Sequence, residues 1–131
     1  MATLAGLFAP VLMLFHLVGP VPADLGIQAG QLSPCTTPAH CSRSHWDSDN
    51  PQRDFAALAA AVAEMPRTEV VELNDSYLHA EASSALFGFV DDLELLVVRD
   101  GIEARSVSRL GDSDLGVNAA RLAQLERLIQ P

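Results

Sequence analysis

Lysine is absent from this 131-residue chain: all eight basic residues are arginines, set against 17 Asp and Glu for a net charge of −9. A nucleic-acid backbone would meet a repelling surface, so nucleic acid is excluded as a partner. Adsorption to an anionic membrane by charge alone is disfavoured for the same reason. Aromatic residues are scarce at 5%, and the single Trp and single Tyr, Trp46 and Tyr77, read as core or rim packing. Charged residues of both signs make up only 19% of a chain that is 49% hydrophobic, which argues against wholesale disorder. The sequence lacks a phosphate-binding Gly-Lys loop, a dinucleotide fingerprint and a G-x-S-x-G elbow. It also lacks internal repeats, and its length suits one domain.

Charge is missing altogether from the first 23 residues, and Leu4 to Val18 is almost wholly apolar, interrupted by Pro10 and His16. Val21-Pro22-Ala23 then offers small residues at signal-peptidase spacing, with Asp24 next. Residues 1–23 are therefore read as a signal peptide or membrane anchor, the route by which the chain would associate with a membrane. Only two cysteines are present, Cys35 and Cys41. In an oxidising compartment they would close a short loop worth about 2 kcal/mol. Free redox-active thiols, or a metal set Cys35, His40, Cys41 and His45, are the competing readings. The disulfide is carried forward, with no metal and no cofactor assigned.

Residues 24–50 show no sustained period and hold Gly, Pro, Ser and Asp, which reads as a linker and Cys loop. From residue 51 to 131 an α+β domain is expected. Asn50-Pro51 opens a helix whose apolar face carries Phe55, Leu58, Val62 and Met65, and Pro66 ends it. Thr68–Leu73, Tyr77–Ala82, Phe89–Val98 and Ile102–Arg109 follow as strands, with turns at Asn74-Asp75 and Asp100-Gly101. With Asp100 and Gly101 as the two loop residues, Asp92 faces Arg109 and Glu94 faces Val107. Leu93, Leu95 and Val97 then mark the core side, and Asp92, Glu94, Arg105 and Arg109 the polar side. A last helix spans about Asn118 to Ile129, with Leu122, Leu125 and Ile129 inward and Leu128 beside them. The expected fold is a four-stranded antiparallel sheet packed against two helices, preceded by an apolar leader and a Cys-containing loop.

Phe89-Val90-Asp91-Asp92, followed by the run from Arg105 to Asn118 (RSVSRLGDSDLGVN), resembles the family catalogued as domain of unknown function 1499. In that family an FVDD strand precedes an RSxSRxGxSDxGxN segment and a final helix. Leu25-Gly26 and Leu32-Ser33-Pro34-Cys35 to Cys41 are similar to its opening, so the resemblance covers about residues 25–129. Where the family often has Asn before the second Cys, this chain has His40. The resemblance implies the fold and an exported or membrane-associated setting, periplasm or thylakoid lumen, but no activity.

Two groups of residues are candidate sites. Asp91, Asp92, Arg105, Ser106, Ser108 and Arg109 form either a structural ion-pair ladder or a groove for a carboxylate-bearing ligand. Gly111, Asp112, Ser113, Asp114, Gly116 and Asn118 form a loop whose Asp-x-Asp spacing suggests a hard cation. Position 12 counted from Asp112 is Ala123 rather than Glu, so the loop reads as a helix cap, with Arg109 or Arg121 pairing its aspartates. The function expected is a non-catalytic exported or membrane-associated binding or interaction module with an unknown ligand or protein partner. A thiol-dependent redox factor or enzyme using Cys35 and Cys41, and a structural envelope or thylakoid-associated protein, are the alternatives.

Overall fold

A computed structural model describes residues 18–85 and 88–130. The leader expectation falls mostly on residues 1–17, outside the described residues. Among the described residues, no helix is long and apolar enough to cross a membrane.

The chain is α+β, and its described residues form a five-stranded antiparallel sheet, a small two-stranded hairpin and the two helices that pack on the large sheet. After a small hairpin of β1 (Ile27–Gln28) and β2 (Gln31–Leu32) come β3 (Cys41–Asp47) and helix α1 (Pro51–Ala63). Strands β4 (Thr68–Leu73), β5 (Tyr77–Ser83), β6 (Val90–Val98) and β7 (Gly101–Ser108) lead to helix α2 (Val117–Glu126). The large sheet has the order β3-β7-β6-β5-β4. The fifth strand, β3, lies in the stretch read as linker and Cys loop. Its sequence CSRSHWD carries only Trp46 as a large apolar residue, so it shows no alternation. It is held by a full antiparallel register against β7, from Cys41↔Val107 to Asp47↔Gly101.

Helix α1 starts where Asn50 and Pro51 place it: the Asn50 side chain accepts a hydrogen bond from the Arg53 amide at 3.1 Å. Its Phe55, Leu58 and Val62 meet Leu78, Ala80, Leu93 and Leu95 of the sheet, and α2 adds Leu122 and Leu125 over β3 and β7. Ile129 is partly buried against this core, while Leu128 is exposed. The core therefore sits on the face marked by Leu93 and Leu95.

The β6–β7 hairpin is two residues out of the expected register. Val98 pairs with Gly101, Asp92 with Val107 and Glu94 with Arg105, so Arg99 and Asp100 are the loop. Gly101 serves strand packing rather than the turn. It lies opposite Asp47, and a Cβ there would overlap the Trp46 carbonyl. A shift of two preserves the side-chain faces, so the core assignment survives the error.

Candidate ligand-binding site

Strand alternation divides the polar residues of β6 and β7 between the two faces of the sheet. The six-residue cluster read from the sequence is consequently two networks. Asp91, Ser106 and Ser108 face the helices; Asp92, Arg105 and Arg109 face the other way.

On the helix side the organising residue is Asn118, wholly buried at the start of α2. Its amide nitrogen donates to Asp114 Oδ2 at 2.7 Å, Ser108 Oγ at 2.8 Å and the His40 carbonyl at 3.2 Å. Its amide oxygen accepts from Ser106 Oγ at 2.6 Å and from Arg121 at 3.1 Å. Arg121 also donates to Asp91 at 2.9 Å. It thus pairs with the strand rather than with the loop aspartates. Asp114 accepts from the backbone amides of Gly116 and Asn118, at 2.8 and 3.2 Å. Burial alone would raise the Asp114 carboxyl, but the Asn118 side chain and these amides hold it below its ordinary value. Asp114 thereby caps α2, whose N-cap residue Gly116 is left-handed and contributes no side chain. Gly111, Asp112 and Ser113 are exposed.

The opposite face is charged yet buried. Asp92 and Glu94 are fully enclosed, and the side chains of Arg105 and Arg109 retain only 3% and 4% exposure. The cover is the aperiodic segment before β3, and the sheet carboxylates satisfy its backbone. Glu94 Oε1 accepts from the Gly26 amide and from the Tyr77 hydroxyl, both at 2.6 Å. Glu103 accepts from the Leu32 amide at 2.9 Å and pairs with Arg43 at 3.1 Å. Leu32 itself packs on Tyr77 and Leu96. Burial, followed by the Glu94 contact, pushes the Tyr77 phenol far upward, so it stays a donor.

Arg109 grips Asp92 through two nitrogens, Nε to Oδ2 at 2.8 Å and Nη2 to Oδ1 at 2.9 Å, and reaches Glu81 at 2.7 Å. The expected Asp92–Arg109 contact is therefore made, diagonally rather than directly across the strands. His79 Nε2 lies 2.7 Å from Asp92 Oδ1. That hydrogen bond raises His79 despite its burial. Burial would raise Asp92, but Arg109 and His79 together bring it below its ordinary value. Arg105 pairs with Glu94 at 3.4 Å and with Asp24 at 2.8 Å, and the Asp24 side chain is 42% exposed.

Between this face and the strap Pro20–Asp24 lies a cavity of about 400 Å³. Arg105 and Arg109 line it, with His40, Thr36 and Thr37, and Pro20, Val21 and Val107 add apolar wall. Arg105 Nε and His40 Nδ1 are enclosed without a hydrogen-bond partner among the described residues. Cys41 also lines this cavity and is joined to Cys35 by a disulfide, with a Cα–Cα distance of 5.6 Å. The bond removes the metal set of Cys35, His40, Cys41 and His45, and it leaves no free cysteine among the described residues.

The run from Arg105 to Asn118 builds both networks, and the chain matches the family described as "Protein of unknown function (DUF1499)" over residues 28–129. The chain belongs to that family. No curated protein and no solved structure matches it. Within the matched stretch, Asp91, Ser106, Ser108, Asp114 and Asn118 make the helix-side knot, whereas Asp92, Arg105 and Arg109 lie on the opposite face, where the two arginines line the cavity.

Sequence reasoning missed Tyr77, His79 and Glu81, although they alternate on β5 and share one face. It also missed Asp24, His40, Thr36 and Thr37 as cavity residues, for which the aperiodic segment offers no local signal.

Proposed function

We propose that this chain is a non-catalytic, exported or membrane-tethered binding module that takes a small carboxylate-bearing ligand in the cavity above Arg105 and Arg109. The observation that carries the reading is the convergence of two almost wholly buried guanidiniums on one 400 Å³ space. That volume falls within the usual range of small-ligand sites, about 300–1,000 Å³. Guanidinium is the side chain best matched to a carboxylate, and Arg105 Nε is a donor without a hydrogen-bond partner among the described residues. The partly exposed Asp24 carboxylate already occupies one edge of Arg105, and a ligand carboxylate would replace or extend that contact. Apolar atoms of the ligand would lie against Val107, and against Val21 and Pro22 as well where residues 1–23 are retained.

Export is supported by the uncharged apolar leader and by the Cys35–Cys41 bond, which persists in oxidising compartments. Cleavage after Ala23 would keep Asp24 and remove the Pro20–Ala23 wall, widening the site.

The test is a panel of small mono- and dicarboxylates and their matched neutral amides, titrated against the chain by calorimetry. Carboxylates are expected to bind and amides not, with affinity falling in His40→Ala and Thr37→Val, two changes at the rim. Arg105→Gln is expected to lose binding and is read only if its circular dichroism matches the parent. Equal binding of acid and amide, or no binding by any carboxylate, would end this reading.

A further inference from the structure

We propose that His45, Asp47 and Asp100 form a second site, for a divalent cation of the zinc type, at the end of β3 remote from the cavity. His45 and Asp47 are two residues apart on β3 and so project from one face. Asp100 comes from the β6–β7 turn. His45 Nε2 lies 3.3 Å from Asp47 Oδ1 and 3.4 Å from Asp100 Oδ1, and the three ligand atoms all lie within 4.8 Å of one another. A tetrahedral cation with bonds of about 2.0–2.1 Å separates its donors by about 3.3 Å. The two histidine distances already match that edge.

The set is held by the fold rather than by chance side-chain approach. Gly101 lets the turn press against the Trp46 carbonyl, and the Ser48 amide donates to the Asp100 carbonyl at 3.0 Å. The turn is thus fastened to β3 on both sides of Asp47. One imidazole and two carboxylates leave a coordination position open to water, the arrangement of zinc sites with three protein ligands. The imidazole favours zinc, cobalt, nickel or copper over calcium and magnesium, which prefer oxygen donors. The other histidine–carboxylate group, His79, Glu81 and Asp92, is already filled by the Arg109 guanidinium, which would repel a cation. His45, set aside with the cysteines as a finger ligand, therefore belongs to a different donor set.

Direct contact of His45 with the two aspartates in the absence of a metal would give the same distances, and zinc binding separates the two. The full chain is dialysed against zinc at neutral pH, and bound metal and affinity are measured by elemental analysis and calorimetry. One equivalent with micromolar affinity is expected, unaffected by excess calcium. His45→Ala and Asp100→Asn are each expected to weaken it by at least about tenfold. Asp47 and Asp100 are largely exposed and the His45 side chain is 38% exposed, outside the apolar core, so the variants should keep the parent's circular dichroism. Absence of zinc binding, or binding that survives His45→Ala, would overturn the proposal.

Discussion

The two faces of the sheet bury comparable side chains by different means. Against the helices, Leu93, Leu95, Ile102 and Ala104 form a dry layer with Phe55, Leu58, Val62, Leu122 and Leu125, broken only by the Asn118 knot. On the opposite face, Asp92, Glu94, Glu103, Arg105 and the side chain of Arg109 are buried as well, and the apolar cluster among the described residues there is Leu32, Tyr77 and Leu96 with Val98 beside them. The first face tolerates loss smoothly, because a trimmed methyl group costs its transfer energy and a cavity. The second depends on pairing: a lost partner leaves a charge stranded out of water. A protein held together by burial alone would have no need of the second arrangement. Its retention beside a cavity is what directs attention to ligand binding.

The sharpest way to break this contrast is Arg109→Ala. Fully buried Asp92 would keep only His79, and the expected loss is about 3–5 kcal/mol in denaturant melts. Asp92→Ala should then cost less in the Arg109→Ala background than in the parent, because the charge it removes is already unpaired. Additive losses would mean that the pair is not the unit holding this face.

Asn118→Ala addresses the other face. It removes the acceptor of the buried Ser106 hydroxyl and the donor to Ser108 and the His40 carbonyl, while Arg121 keeps Asp91 and Asp114 keeps its backbone amides, and an expected loss of about 2–3 kcal/mol is measured in the same way. A loss much below that would show the knot to be incidental to the apolar layer.

The smallest expected effect is in the pH profile. His79 is raised above its ordinary value of 6.5, so its contribution is fully present below that pH and is lost as pH rises through the raised value. Asp92 is lowered from its ordinary value of 3.8, so its contribution is present above that pH and is lost as pH falls through the lowered value. Stability should therefore be greatest at mildly acidic pH. His79→Gln should flatten the alkaline-side decline, at a cost of about 1 kcal/mol near pH 6. An unchanged profile in His79→Gln would detach His79 from Asp92.

The helix-facing half of the fold was legible because helical spacing in α1 and α2 and alternation in β6 point at one another. Asn50, Pro51 and Pro66 also punctuate α1 at its ends. The covered half was not. Alternating charges on β5, β6 and β7 read as a solvent-facing surface, and only tertiary structure shows that residues 20–40 lie over them. That cover is fastened by Glu94 and Glu103 accepting from the amides of Gly26 and Leu32, contacts separated by 68 and 71 residues in sequence. β3 escaped notice for a related reason: its alternate residues are serines, which meet Ser106 and Ala104 where side-chain space is small. The Asp92–Arg109 contact was legible from strand parity, although the hairpin register behind it was not.

The most direct test of the ligand reading is at the arginine nitrogens themselves. Arg105 Nε has no hydrogen-bond partner among the described residues, whereas Arg109 Nε donates to Asp92. In a nitrogen-resolved NMR titration with a small carboxylate, the Arg105 Nε–H signal should move saturably and the Arg109 Nε–H signal much less. The matched amide should move neither. An Arg105 signal that stays in place, or that follows the amide as closely as the acid, would contradict the assignment of this cavity to a carboxylate ligand.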